Sequence, residues 1–291
     1  MSASSQHPFH RKMTIRRTSL QQTSLSRRLQ VKQYYDVGSG ILLEGGRTLL
    51  YVGFSGDDIR LDVREANLVQ ASNWMSGIGI AASTLFNGDL PLHAAGAAFD
   101  GQFFGLLAPS GTGKSTTLRA LIKAGALFGS DDMIPVLFLD DHHTAFPAVS
   151  LAPKMHRTAL EYEGISCDSL NQVSPIEDKF WMPLQAEQYF TKPSPLTALF
   201  LLKPTEPQTD DLCVQRLPTD DAATMLLCNL HGVNVFNKYV NMVCIKKLCD
   251  TLARSIPVYT LQYQKRFEVL PLLTEAIRAT LNSPVSDKAH F

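Results

Sequence analysis

Ala108-Pro-Ser-Gly-Thr-Gly-Lys-Ser-Thr116 is the stretch from which the rest of the chain can be read. It follows an apolar run at 102–107 with strand character and precedes residues 116–124, where Leu118, Leu121 and Ile122 recur at helical spacing before Gly125. Strand, glycine loop and helix in that order satisfy the phosphate-loop pattern, with Ala108 in its first position. Each residue type has a physical reason. Gly111 and Gly113 let the backbone turn its N–H groups inward, where side chains would otherwise obstruct an anion. Lys114 places a point charge on the β- and γ-phosphates, and the Ser115 hydroxyl is a hard oxygen ligand for Mg²⁺. The helix N-terminus adds a dipole favourable to anions. Ser110, Gly111, Thr112, Gly113, Lys114, Ser115 and Thr116 are therefore the expected nucleotide-triphosphate contacts.

Such a site needs a carboxylate for the metal and, for transfer to an alcohol, a base. Two acidic pairs compete. Asp140-Asp141 follows an apolar run, as in an ordinary ATPase, but lies in the polar quartet Asp140-Asp141-His142-His143 between strand-like runs at 134–139 and 144–149. That pattern reads as a hairpin turn. Asp131-Asp132, at a strand end 17 residues after Lys114, is the favoured pair, one acid holding metal and the other accepting a proton. His93, in Pro91-Leu-His-Ala-Ala, reads alone as a core histidine, yet it lies on the strand adjoining the glycine-loop strand and so within reach of phosphates. The remaining histidines are read as surface or core residues.

Working outward, Asp100-Gly101 between two apolar runs signals a hairpin. Residues 38–44, 47–53 and 59–64 read as short strands, and 66–87 as a helix weakened by Gly77 and Gly79. The first 35 residues carry seven Lys or Arg and no acid, although the chain is neutral overall with 27 of each sign. Residues 1–29 are accordingly expected to be a basic flexible tail, 30–87 a small β-rich subdomain, and 88–285 the catalytic domain. The acidic body argues against nucleic acid as a partner, since it would repel phosphate backbones. No apolar stretch is long enough to span a membrane. The five cysteines form no paired spacing and sit among apolar neighbours, which suggests buried thiols in a reducing, cytoplasmic setting.

Leu92-His93-Ala94, Asp100-Gly101, residues 108–116 and Gly129-Ser-Asp131-Asp132 together resemble the catalytic domain of the HPr kinase/phosphorylase family, including the 21-residue interval from His93 to Lys114. Looser matches are Phe146-Pro147 as a strand, residues 174–183 with Lys179, a strand at 199–202, and one at 256–259 before a last helix. The resemblance implies an α/β fold with a P-loop kinase core related to phosphoenolpyruvate carboxykinase, using ATP and Mg²⁺ to phosphorylate a serine hydroxyl. Carried across, residues 110–116 hold the nucleotide, and Ser115, Asp131 and Asp132 the metal. One Asp acts as base, His93 orients groups or neutralises charge, and Lys179 stabilises the transferred phosphoryl group. The Lys179 position also reads as a surface lysine beside a core Phe180-Trp181 pair.

The chain departs from that family in having a short N-terminal part and no glycine-rich signature after the acidic pair. Its shorter architecture is similar to the stand-alone HPr-kinase-like enzymes, among them those that phosphorylate a serine of ribosomally made peptide precursors, such as those of lasso peptides. A free small-molecule alcohol as acceptor, a non-catalytic nucleotide switch and homo-oligomerisation all stay open.

Overall fold

His93 is where the chain steps from one sheet into another, and the architecture follows from that step. The computed structural model describes residues 14–17, 33–45, 48–63, 72–109, 111–139, 142–147, 150, 152–174, 177–205, 212–283 and 288–290. Four sheets and seven α-helices are formed among them, a mixed α/β fold. The first strands are β1 (Thr14–Arg17), β2 (Gln33–Asp36), β3 (Gly40–Gly45), β4 (Thr48–Gly53) and β5 (Asp58–Val63), joined in the order β1-β5-β4-β3-β2. The three strands expected here form with small shifts of their ends. Within the segment read as a basic tail, however, Thr14–Arg17 is an edge strand parallel to β5, because Thr and Ile favour extended backbone and β5 offers a free edge. Residues 1–13 and 18–32 lie outside the described part.

Of the helix expected at 66–87, residues 66–71 lie outside the described part; 72–86 are helical, with a π-helical turn at Met75–Gly79 followed by α1 (Ile80–Phe86). The glycine that weakens the pattern has a packing reason. A Cβ on Gly79 would stand 2.8 Å from Leu50 Cδ2, so the small residue lets the helix lie against β4.

The strand expected to carry His93 is broken at that residue into β6 (Leu90–Leu92) and β7 (Ala94–Phe99). β8 (Gln102–Leu107) pairs with β7 across the Asp100-Gly101 turn, whose φ values of 50° and 81° are those of a two-residue hairpin loop. Helix α2 (Lys114–Lys123) follows, then β9 (Leu127–Ser130), β10 (Ile134–Leu139), β11 (His142–Ala145) and β12 (Lys154–His156). β10 and β11 pair with Leu139 opposite His142; Asp140 and Asp141 lie between them, outside the described residues. The polar quartet is therefore not all turn, since His142 and His143 belong to β11. Phe146-Pro147 is not a strand; it continues irregularly past β11, with the Phe146 N–H bonded to Pro135 O at 2.9 Å.

The chain goes on through α3 (Arg157–Tyr162), β13 (Gln172–Ser174), β14 (Glu177–Trp181), β15 (Leu196–Thr205), β16 (Cys213–Arg216), α4 (Thr219–Cys228), α5 (Val233–Phe236), α6 (Met242–Ser255), β17 (Val258–Gln264), α7 (Leu270–Asn282) and β18 (Lys288–His290). The central sheet has the order β18-β16-β17-β15-β8-β7-β9, with β15 parallel to both β17 and β8. Its side chains alternate between two cores, as a strand period of two requires. Phe103, Leu107 and Leu199 pack with the N-terminal sheet, α1, α4 and α6. Phe104, Leu106 and Phe200 pack under Leu118 and Leu121 of α2 and Leu273 and Ile277 of α7. Both faces being covered explains why these strands read as continuous apolar runs.

All five cysteines are free thiols, but only Cys213 and Cys249 are buried. Cys228 and Cys244 are exposed, because the helical period turns them away from the faces that bury Leu226 and Ile245. No helix among the described residues is long and apolar enough to cross a membrane.

Candidate functional site

Strand direction brings the distant pieces to one end of the central sheet. β8 ends at Leu107 and releases the glycine loop there. β7 and β9 are antiparallel to their neighbours, so the start of β7 at His93 and the end of β9 at Asp131 reach the same end. β17 runs parallel to β15 and β8, which delivers Tyr263 and Lys265 there as well. Loops at the carboxyl ends of parallel strands are where α/β sheets hold ligands.

The loop itself is strained only where glycine permits it. Gly111 and Gly113 have φ of 78° and 105°, and Gly113 is the N-cap of α2. Thr112 closes a turn onto Pro109 O through both its N–H and its hydroxyl, at 3.3 and 2.7 Å. Two late residues hold the loop carbonyls: Lys265 Nζ donates to Gly111 O at 2.6 Å and Tyr263 Oη to Thr112 O at 3.3 Å. Ser110 lies outside the described residues. Gly111, Thr112, Gly113, Lys114, Ser115 and Thr116 all line one cleft of about 340 Å³.

Lys114 is buried, and its Nζ has no hydrogen-bond partner among the described residues. Burial depresses its pKa, against the pull of Asp132 and Asp131. A desolvated ammonium with open donors, set at a helix N-terminus, has the chemistry to receive an anion.

The acidic pair is divided by its surroundings. Asp131 is fully buried, with Ser115 Oγ donating to its Oδ1 at 3.0 Å and the Lys154 backbone N–H to its Oδ2 at 2.8 Å. Burial, and then the neighbouring Asp132 charge, push its carboxyl up. Asp132 instead faces the cleft and pairs with Lys154 Nζ. Burial alone would raise the Asp132 carboxyl, but the Lys154 ammonium, with Lys114 and Lys179 behind it, holds it below the ordinary carboxylate range.

His93 also lines the cleft, its N–H bonded to Asn229 O at 2.7 Å and its ring edge-on to His231 at 5.3 Å. Burial, then Lys114 and His231, lower its pKa to about 4, so the imidazole is neutral at pH 7. Orienting a group by hydrogen bonding fits that state; neutralising charge does not. Lys179 borders the cleft from β14, where it stands opposite His156 across the pair with β12. It is part-exposed and 3.8 Å from Glu177, beside buried Phe180 and Trp181, so it is both a surface lysine and a cleft residue.

Sequence reading missed Lys154, His156, Tyr263, Lys265 and Arg266. Lys265-Arg266 had a signal, a basic pair directly after an apolar strand. Lys154 had none, since only the pairing of β12 with β14 lays it against the acids.

No cluster of three or more His, Cys, Asp or Glu side chains that could hold a metal exists among the described residues. The cleft itself offers Ser115 Oγ and the Asp132 carboxylate, with the buried Asp131 carboxylate behind Ser115 and bonded to its hydroxyl, all hard oxygen donors. That donor set suits Mg²⁺, which takes one or two carboxylates and completes its shell with waters and substrate phosphates.

No family model matches the chain, and no curated protein matches it. Among solved structures it bears a distant likeness to the Hpr(Ser) kinase/phosphatase from Coxiella burnetii, at 13% identity and a TM-score of 0.34 over 65% of this chain and 94% of that one.

Proposed function

We propose that the protein is an ATP- and Mg²⁺-dependent kinase with a P-loop core that transfers the γ-phosphate to a serine hydroxyl, of a peptide or protein in preference to a free small molecule. One observation carries the reading: a buried Lys114 ammonium at the head of α2, without a hydrogen-bond partner among the described residues, beside a serine hydroxyl already aimed at a carboxylate. An ordinary structural lysine would be paired or exposed.

In this reading the backbone of residues 111–116 and Lys114 bind the triphosphate, while Ser115 and Asp131 hold the metal side of the site and Asp132 lies between metal and acceptor. When bound, Mg²⁺ would draw charge from the β- and γ-phosphates. Asp132, kept ionised by Lys154, takes the proton of the acceptor hydroxyl. The freed oxygen attacks the γ-phosphorus, the bond to the β–γ bridging oxygen breaks, and ADP leaves. Lys114 and Lys179 offset the charge that spreads over the transferred group, and neutral His93 orients it by hydrogen bonding.

The test supplies γ-labelled ATP, Mg²⁺, serine-containing peptides and free alcohols including serine, with the Asp131→Asn/Asp132→Asn double variant as control. Label in peptide, lost in the variant by about 10²-fold or more, supports the reading. Label in a small alcohol would make the protein a metabolite kinase, and label in free phosphate alone would favour a nucleotide switch.

A further inference from the structure

A second cavity of about 640 Å³ opens beside the phosphate cleft and shares Thr116, Ala159, Phe267 and Leu270 with it. It runs between α2 and α7. Thr116, Ala120 and Lys123 recur along one face of α2, facing Leu270, Thr274 and Arg278 along one face of α7. Tyr162 of α3, 55% exposed, closes one side by stacking on Phe267 with ring centroids 4.0 Å apart. Thr274 is buried, and its Oγ1 has no hydrogen-bond partner among the described residues. A hydroxyl left unsatisfied on a cavity wall is a place for a polar ligand atom.

The order of groups along the phosphate cleft gives the ligand a direction. Asp132, Lys179, Lys114 and Ser115 line this cleft alone, whereas Thr116 lines both cavities; with Lys114 on the β- and γ-phosphates, Thr116 stands toward the α-phosphate end. A triphosphate bound in this order has its α-phosphate, and hence its ribose, leaving past Thr116. Past Thr116 lies the second cavity. We propose that it houses the nucleoside, with the base on the apolar and aromatic wall of Leu270 and Phe267 and the Thr274 hydroxyl hydrogen-bonding to ribose or base. The acceptor then approaches from the opposite end, by Asp132 and Lys179. This rests on the phosphate-loop reading above.

Inorganic tripolyphosphate separates the two ideas, because it carries the phosphates without a nucleoside. With Mg²⁺ present, its affinity and that of ATP are measured by calorimetry for wild type, Lys114→Met, Ala120→Trp and Thr274→Val. Ala120 is part-exposed on α2, so an indole there fills the groove without entering the core. The expected result is that Ala120→Trp weakens ATP about tenfold or more and Thr274→Val about threefold to tenfold, while both leave tripolyphosphate unchanged. Lys114→Met should abolish both ligands. ATP binding that depends on Lys114 but is unchanged in both groove variants overturns the nucleoside site alone. ATP binding indifferent to Lys114 overturns the phosphate-loop reading and the nucleoside site with it. Thr274→Val, which conserves volume, still distinguishes these outcomes if Ala120→Trp fails to fold.

Discussion

Lys154 addresses both acids of the pair at once: its backbone N–H donates to Asp131 Oδ2 at 2.8 Å, and its ammonium pairs with Asp132. A β12 residue thus fixes the orientation of one carboxylate through the main chain and the charge of the other through its side chain.

Replacing Lys154 with Met should separate these effects. The main-chain bond survives and the long apolar stem is kept, but Asp132 loses its counter-charge. Because the Asp132 side chain is 37% exposed, the stability loss should be about 1–3 kcal/mol, below that of a fully buried pair. Asp132 would ionise at higher pH, so the acid limb of the rate profile should move upward, while Lys154→Arg holds it near its original position. Denaturant midpoints and a pH–rate profile of both variants check this.

Lys114→Met should stabilise the nucleotide-free protein. The ammonium is desolvated without a hydrogen-bond partner among the described residues, and an apolar side chain of similar length removes that penalty, about 1–2 kcal/mol. The melting temperature should rise by a few degrees, and the further rise that ATP and Mg²⁺ give the wild type should vanish. A variant no more stable than wild type would mean that the ammonium is satisfied after all.

His93 makes stability depend on pH. Its folded pKa of about 4 lies below the ordinary value of 6.5, so folding favours the neutral ring. The contribution is complete above about pH 6.5 and is lost as pH falls towards 4, with a slope of at most about 1.4 kcal/mol per pH unit. His93→Gln should flatten the stability curve across that window, measured by urea unfolding at half-unit steps.

Gly129→Ala should fail for a steric reason. A Cβ there would overlap the Phe103 ring and stand 3.2 Å from Gly96 O, and Phe103 already sits where a Cβ on Gly96 would be, 2.7 Å from its Cζ. The expected cost is about 1–3 kcal/mol, with displacement of the Asp131 that follows. Phe103→Leu in the same chain should recover part of the loss, a non-additivity that thermal melts of the single and double variants would show.

Much of the cleft around the glycine loop was legible because its pieces are local. Gly111, Gly113, Lys114 and Ser115 are contiguous, and their strand–loop–helix setting is written in the flanking apolar periods. The break at His93 was not legible, since Leu92-His93-Ala94 keeps the apolar pattern of one strand while its residues are shared between two sheets. Lys154 was not legible because it belongs to β12 in another sheet, and Tyr263 and Lys265 because the register of β17 beside β15 and β8, rather than sequence spacing, carries them to the loop. Cys228 and Cys244 show the limit of local composition: apolar neighbours in sequence do not fix which side of a helix a residue faces.

The clasp of Lys265 and Tyr263 on the glycine loop has a consequence during synthesis. A chain still emerging from the ribosome has its loop and α2 long before it has the residues that hold the loop carbonyls. β8 must likewise wait for β15, and β15 for β17, so this end of the sheet closes only once the segment through Lys265 is out. Pairing at such separation is slow. A ligand of this loop, such as the nucleotide proposed above, would therefore not act as an early folding template; it would trap molecules that have already completed the sheet.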